Sequence, residues 1–250
     1  MKNYTIPKKL LSPGATNAKT AKNELKTFIL YLAPYNQNSK KINICPKASK
    51  GCAAACLFTA GRGAFSNVIN SRTNKTEYFL HNKSLFIKQL AKEIVLEVAK
   101  AKKKGEKIAF RLNGTSDLDF VYLLKKYAAL DIIDLYPVAI LYDYTKILGK
   151  AKKYINHPNY IVTFSRAEDN EAEAVQALNM GVNVSAVFSP TLPDTWQGFP
   201  VIDGDKSDLV MIYNKGVVLG LKAKGRARKD SSGFTIPVSN KTIKQTEKIY

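Results

Sequence analysis

The chain has 250 residues, 45% hydrophobic and 24% charged, enough for a sizeable core and close to an ordinary globular composition. Those figures exclude collagen-like, mucin-like and wholly disordered chains. Lys and Arg number 39 against 20 Asp and Glu, a net charge of +19. No apolar run reaches the ~18 residues of a membrane helix, and the start MKNYTIPKKLL lacks the apolar stretch of a secretory signal, so a cytoplasmic protein is expected.

The charge is concentrated at the ends. Residues 1–50 carry ten Lys and one Glu, and residues 222–250 carry eight Lys or Arg and two acids. Basic ends on a nearly neutral body fit a polyanionic partner, most simply nucleic acid held through its phosphates. A solvated lysine surface in an AT-rich coding background accounts for the same count.

In chain order, residues 1–27 read as a basic arm or early helix with a turn at Pro13-Gly14. FILYLAP (28–34) is the first strand, stopped by Pro34. A polar loop leads to CPKASKGCAAACLFTAGRG, and residues 84–103 form an amphipathic helix with Phe86, Leu90, Ile94 and Val98 at four-residue steps. Apolar, β-rich runs follow at 108–113, 137–144, 160–165 and 183–189, separated by helical stretches at 118–130, 146–154 and 168–180. VID (201–203) is a short strand. Residues 209–213 and 217–223 read as a hairpin around Asn214-Lys215-Gly216. Alternating strands and helices predict an α/β fold, a partial (β/α) barrel of about six mainly parallel strands. The expected domain spans 28–225, with basic extensions at 1–27 and 226–250. Polar residues gather after each strand, where such folds build their sites.

Cys45, Cys52 and Cys56 are spaced C-x6-C-x3-C. The odd number and the expected compartment argue against a disulfide framework. Lys47, Lys50 and Arg62 favour thiolates. Three readings stay open: an iron–sulfur cluster with one open iron, a structural zinc completed by a ligand such as His81, or ordinary buried cysteines. A three-cysteine loop after the first strand of a partial barrel resembles the radical S-adenosylmethionine (SAM) enzymes. Their usual spacing, C-x3-C-x2-C, is shorter in both gaps. That resemblance implies a [4Fe–4S] cluster on Cys45, Cys52 and Cys56. It also implies a SAM or substrate pocket lined by Asn113, Gly114, Thr115, Asp117, Ser165 and Arg166. Asp117, Asp143 and Arg166 are the candidate catalytic groups.

CPKASKGCAAACLFTAGRG, RLNGTSDLD, LYDYTK, YIVTFS, VIDGDKSD and GLKAKG together resemble the phage gene-product-eighty-eight family, from about Cys45 to about Phe234. The resemblance implies a phage origin and expression in a bacterial host, and no activity.

A second constellation is acidic. Asp117, Asp119, Asp143, Asp203, Asp205 and Asp208 fall at expected strand ends, where they would hold Mg²⁺ for a nuclease or cap helices and turns. Trp196 reads as a base-stacking residue or a loop anchor, and His157 as an exposed turn residue. The leading expectation is a radical-SAM-like iron–sulfur enzyme acting on a nucleotide or nucleic acid. The alternatives are a zinc-bearing, non-enzymatic protein that binds nucleic acid or a host protein, and a metal-dependent nuclease.

Overall fold

Strands with apolar residues on both faces require cover on both sides, and β2 (Lys26–Leu30) shows this plainly: Phe28, Ile29 and Leu30 are all buried. The computed structural model describes residues 4–16, 25–56 and 61–239. Before β2 lies β1 (Leu11–Pro13), and after it come β3 (Ile108–Arg111), β4 (Ala139–Thr145), β5 (Tyr160–Ser165), β6 (Val184–Ser189), β7 (Thr195–Trp196), β8 (Phe199–Asp203), β9 (Val218–Lys222) and β10 (Thr235–Pro237). The helices are α1 (Lys50–Ala54), α2 (Ser66–His81), α3 (Lys83–Lys104), α4 (Phe120–Ala128), α5 (Leu148–Tyr154), α6 (Glu171–Asn179) and α7 (Val210–Tyr213).

The sheet order is β1-β2-β3-β4-β5-β6-β9-β8-β7, with β10 added on β6. β1 runs antiparallel to β2, and β7 to β8. The pairs β2–β3, β3–β4, β5–β6, β6–β9, β8–β9 and β6–β10 are parallel. The fold is therefore mixed α/β on a mostly parallel sheet, as expected. The sheet has ten strands rather than about six, and it does not close. The strands that sequence reading passed over, β1, β7 and β10, are two or three residues long, too short for an alternating pattern to register.

Two compact units divide the chain: residues 1–46, 62–143 and 156–161, and residues 47–61, 144–155 and 162–250. In the first, Phe28 and Phe110 stand opposite in the β2–β3 register and stack with centroids 5.6 Å apart. Phe86, Leu90 and Ile94 of α3 are fully buried, as the four-residue spacing predicts. α2 was not anticipated, because its buried side chains include polar ones. Lys75 donates to the Leu10 carbonyl, Thr76 accepts from the Ala33 amide, and Glu77 accepts from Ser39. Glu93 of α3 accepts from the Leu10 and Leu11 amides. These bonds hold β1, so part of the 1–27 stretch is a strand of the sheet.

In the second unit, β6 carries β9 on one side along Val184–Phe188. On its other side β5 pairs as far as Ser185, and β10 pairs beyond it with Val187–Ser189. The hairpin expected over 209–223 is not formed. Val210–Tyr213 is a helical turn, and β9 runs parallel to both of its neighbours. Leu209 and Met211 are buried, and the Asn183 amide donates to the Met211 and Asn214 carbonyls. Those carbonyls are therefore unavailable to a ladder.

Candidate functional site

In the first unit the loop after β3 is closed by its own side chains. Asn113 donates from its backbone N to Asp143 Oδ1 at 2.8 Å. Its Nδ2 donates to Asp143 Oδ2 at 3.0 Å and to the Leu118 carbonyl at 2.9 Å. Asn113 Oδ1 accepts from Ser116 Oγ and the Leu118 amide, both at 2.9 Å. An amide side chain has two donors and two acceptor lone pairs, so Asn113 is saturated. Asp143, only 2% exposed, accepts in addition from the Tyr160 hydroxyl at 3.1 Å.

Gly114 donates to the Leu30 carbonyl at 3.0 Å. A Cβ there would lie 2.6 Å from Tyr31 Cδ1 and 2.8 Å from that same oxygen, so the backbone approach requires glycine. Thr115 Oγ1 donates to the Leu32 carbonyl, and the Asp117 amide to the Ile44 carbonyl at 3.0 Å. Cys45 joins this cluster: its Sγ donates to the Thr115 carbonyl at 3.6 Å, and its amide to Asn43 Oδ1 at 2.8 Å. The structure thus brings Cys45, Asn113–Asp117 and Asp143 together at the carboxyl ends of β2, β3 and β4.

In the second unit, Ser165 and Arg166 end β5. Ser165 Oγ accepts from Lys146 Nζ at 2.8 Å. Arg166 is buried; its Nη1 donates to the Gly233 and Phe234 carbonyls, and its Nη2 pairs with Glu171 at 3.0 Å. The guanidinium thereby fastens the segment that becomes β10 at the point where β5 stops.

Helix α1 carries Cys52 in its first turn. Its N-cap, Ser49, accepts from the Cys52 amide at 3.1 Å and donates to Glu168 Oε2 at 2.6 Å. The Gly51 amide donates to Glu168 Oε1 at 2.6 Å. A Cβ on Gly51 would lie 2.8 Å from both Glu168 oxygens and would strike Ser232 Oγ. Burial pushes the Glu168 carboxyl up, but the bonds from Ser49, its own amide and Gly51 outweigh that, and its pKa lies below the ordinary value. Asp230 behaves alike: burial raises it, and the Ser232 hydroxyl with the Thr235, Ser232 and Gly233 amides bring it below normal. At the end of α1, Ala55 packs with Ala223 and Ala227 against Val187 and Phe234. Glu168 is the residue of this candidate site that sequence reading missed. Its partners lie 117 and 119 residues away, and its only local sign is an acid just past a strand end.

The three cysteines are half-buried and form no disulfide. Cys45 belongs to the first unit, Cys52 and Cys56 to the second. Among the described residues, no group of three or more His, Cys, Asp or Glu is placed to hold a metal ion. His81, the sequence candidate for a fourth ligand, stacks on Tyr4 and lies 3.5 Å from Glu77. The Arg62 side chain, residues 57–60 of the cysteine motif, and residues 1–3, 17–24 and 240–250 of the basic ends lie outside the described residues.

Three of the acidic set follow turn and cap chemistry. Asp119 caps α4 by accepting from the Tyr122 amide at 3.1 Å. Asp203 accepts from the Asp205 amide at 2.9 Å, and Asp205 from the Lys222 amide and Lys224 Nζ at 3.0 and 2.7 Å. His157 is half-buried rather than exposed, its ring edge-on to Tyr160. Burial lowers its pKa against the opposing pull of Asp131. Trp196 is buried on β7. No helix among the described residues is long and apolar enough to cross a membrane.

Comparison with curated proteins, and separately with solved structures, found no match. The phage family described as Gene product 88 matches residues 9–237, and the chain belongs to that family.

Proposed function

We propose that this phage protein is an iron–sulfur enzyme of radical-SAM-like organisation, working in the host cytoplasm on a nucleotide or nucleic acid. One observation carries the reading. Three free cysteines within twelve residues occupy the connection after β2, the first strand of the run β2-β3-β4-β5-β6 that lies side by side in chain order. In such a run the chemistry belongs to the loops at the carboxyl ends of the strands. The donor type supports the reading, though the three are not placed as a ligand set among the described residues: half-buried, free thiols are soft ligands suited to iron–sulfur clusters.

In this reading Cys45, Cys52 and Cys56 hold a [4Fe–4S] cluster, which with SAM supplies one-electron and radical chemistry. Glu168 and Ser49 hold the start of α1 and so present Cys52. The Asn113–Asp143 pair holds the 113–118 loop, and the Thr115 hydroxyl, which donates to Leu32, can still accept from a ligand, while the Ser165 hydroxyl, which accepts from Lys146, can still donate to one. Asn113 and Arg166 support the loops from behind, since their side chains already bond to the fold. The basic ends attract a polyanionic substrate.

The saturation of Asn113 favours a second reading: a non-enzymatic protein with structural zinc at the cysteines, binding nucleic acid or a host protein. Anaerobic purification with metal and sulfide analysis separates the two. The enzyme reading expects about four iron and four sulfide per chain, lost in Cys45→Ser, Cys52→Ser and Cys56→Ser, and cleavage of SAM by reduced protein. Stoichiometric zinc without sulfide selects the second reading, and metal-free protein after reconstitution sinks both.

A further inference from the structure

Helices α3 and α4 of the first unit leave an open groove of about 750 Å³ between them. Lys88, Lys92, Val95 and Leu96 fall on one face of α3, three or four residues apart. Val95 and Leu96 are 46% and 49% exposed, two adjacent aliphatic side chains with lysines beside them. Across the groove stand Lys125 and Lys126 of α4. Lys125 pairs with Asp131 at 2.8 Å, and Lys126 lies over the Tyr122 and Tyr127 rings. Lys88 and Lys92 make no ion pair among the described residues. The nearby acids of α3 are engaged elsewhere: Glu93 with the Leu10 and Leu11 amides, Glu97 with Lys100.

An aliphatic floor between lysine rims has one complementary shape of partner. We infer that the groove docks an acidic amphipathic helix of another protein, apolar residues down and carboxylates against the lysines. The chain's own unassigned segments are poor occupants by charge: residues 240–250 carry three Lys and one Glu, and residues 17–24 two Lys and one Glu. A second copy brings another strongly basic body. A nucleic acid would use the lysines but leave Val95 and Leu96 without a counterpart.

The test uses the full-length protein and fluorescence anisotropy. The probe is a blocked peptide with Leu at i, i+3 and i+7 and Glu between; its controls are a scrambled peptide, a Gln-for-Glu peptide and a DNA duplex. The inference expects the Glu peptide to bind at least tenfold tighter than either peptide control. Lys88→Glu with Lys92→Glu should weaken it tenfold or more, and Leu96→Asn should weaken it without altering salt dependence. Lys215→Glu, on an exposed turn of the other unit, should change nothing. Circular dichroism verifies that each variant is folded. Equal binding of the scrambled peptide, or insensitivity to both groove variants, overturns the inference. So does DNA binding that the lysine variants abolish while Leu96→Asn leaves it intact, or a protein dimer that Leu96→Asn dissociates.

Discussion

At the end of β3 an amide and a carboxylate satisfy each other locally, whereas at the end of β5 a guanidinium and a carboxylate reach out to remote chain. Asn113 and Asp143 lock one loop with neutral and charge-assisted bonds inside the first unit. Arg166 and Glu168 instead hold two separate pieces of the second unit, the 233–234 segment and the start of α1. A loop whose side chains and backbone are already bonded to the fold offers a ligand little. A short helix hung from one carboxylate keeps its register only while that carboxylate stays charged. The second unit is thus the part whose geometry conditions can tune, and it carries two of the three cysteines.

The sharpest challenge to this contrast is Asp143→Asn, which sets an NH2 donor against the donors of Asn113 and Tyr160. We expect a loss of about 3 kcal/mol in urea unfolding, since buried polar groups left unmatched are costly. Full stability with loss of activity would instead make Asp143 a reacting group and erase the distinction. Gly114→Ala should cost about 2 kcal/mol by overpacking against Tyr31 and the Leu30 carbonyl, read as a lower urea midpoint with unchanged slope. Arg166→Ala should cost about as much, about 2 kcal/mol, but its mark is local: rapid proteolysis between 225 and 237 while the first unit stays resistant.

Glu168→Gln is smaller, about 1 kcal/mol, and it is the pH-sensitive case. The folded pKa of Glu168 lies below the ordinary value. Its stabilisation is therefore complete above the unfolded pKa of about 4.3 and lost as pH falls through the folded value. Stability profiles of wild type and Glu168→Gln should converge on acidification; parallel profiles would remove Glu168 from its role. The smallest effect belongs to Lys125→Ala, an exposed ion pair whose loss should leave the melting temperature unchanged.

The strands from β3 to β6 were legible because continuous apolar runs between helices have few other solutions. α3 was legible from its four-residue steps. α2 was not, because Lys75, Thr76 and Glu77 are buried to bind β1 and the 33–39 loop, and a polar buried face has no periodic signature. The segment 210–213 was misread since a short apolar run is the same as strand or helical turn until Asn183 claims its carbonyls. At the site, spacing drew attention to the cysteines and strand position to Asn113, Asp143 and Arg166. Their bonding was hidden: an Asn that closes a loop and one that holds a ligand look alike in one dimension. Glu168 was invisible because its partners are more than a hundred residues away.

The pairing of β10 with the last residues of β6 bears on how the chain is made. Synthesis releases β5 and β6 well before Thr235–Pro237, so Val187–Ser189 keep one ladder edge open even after β9 has paired on the other side. Until Arg166 captures the Gly233 and Phe234 carbonyls, that edge is available to any other extended segment, including one from a neighbouring nascent chain on the same messenger. The order of translation thus places the risk of mispairing in the second unit, and in the interval before residue 237 leaves the ribosome.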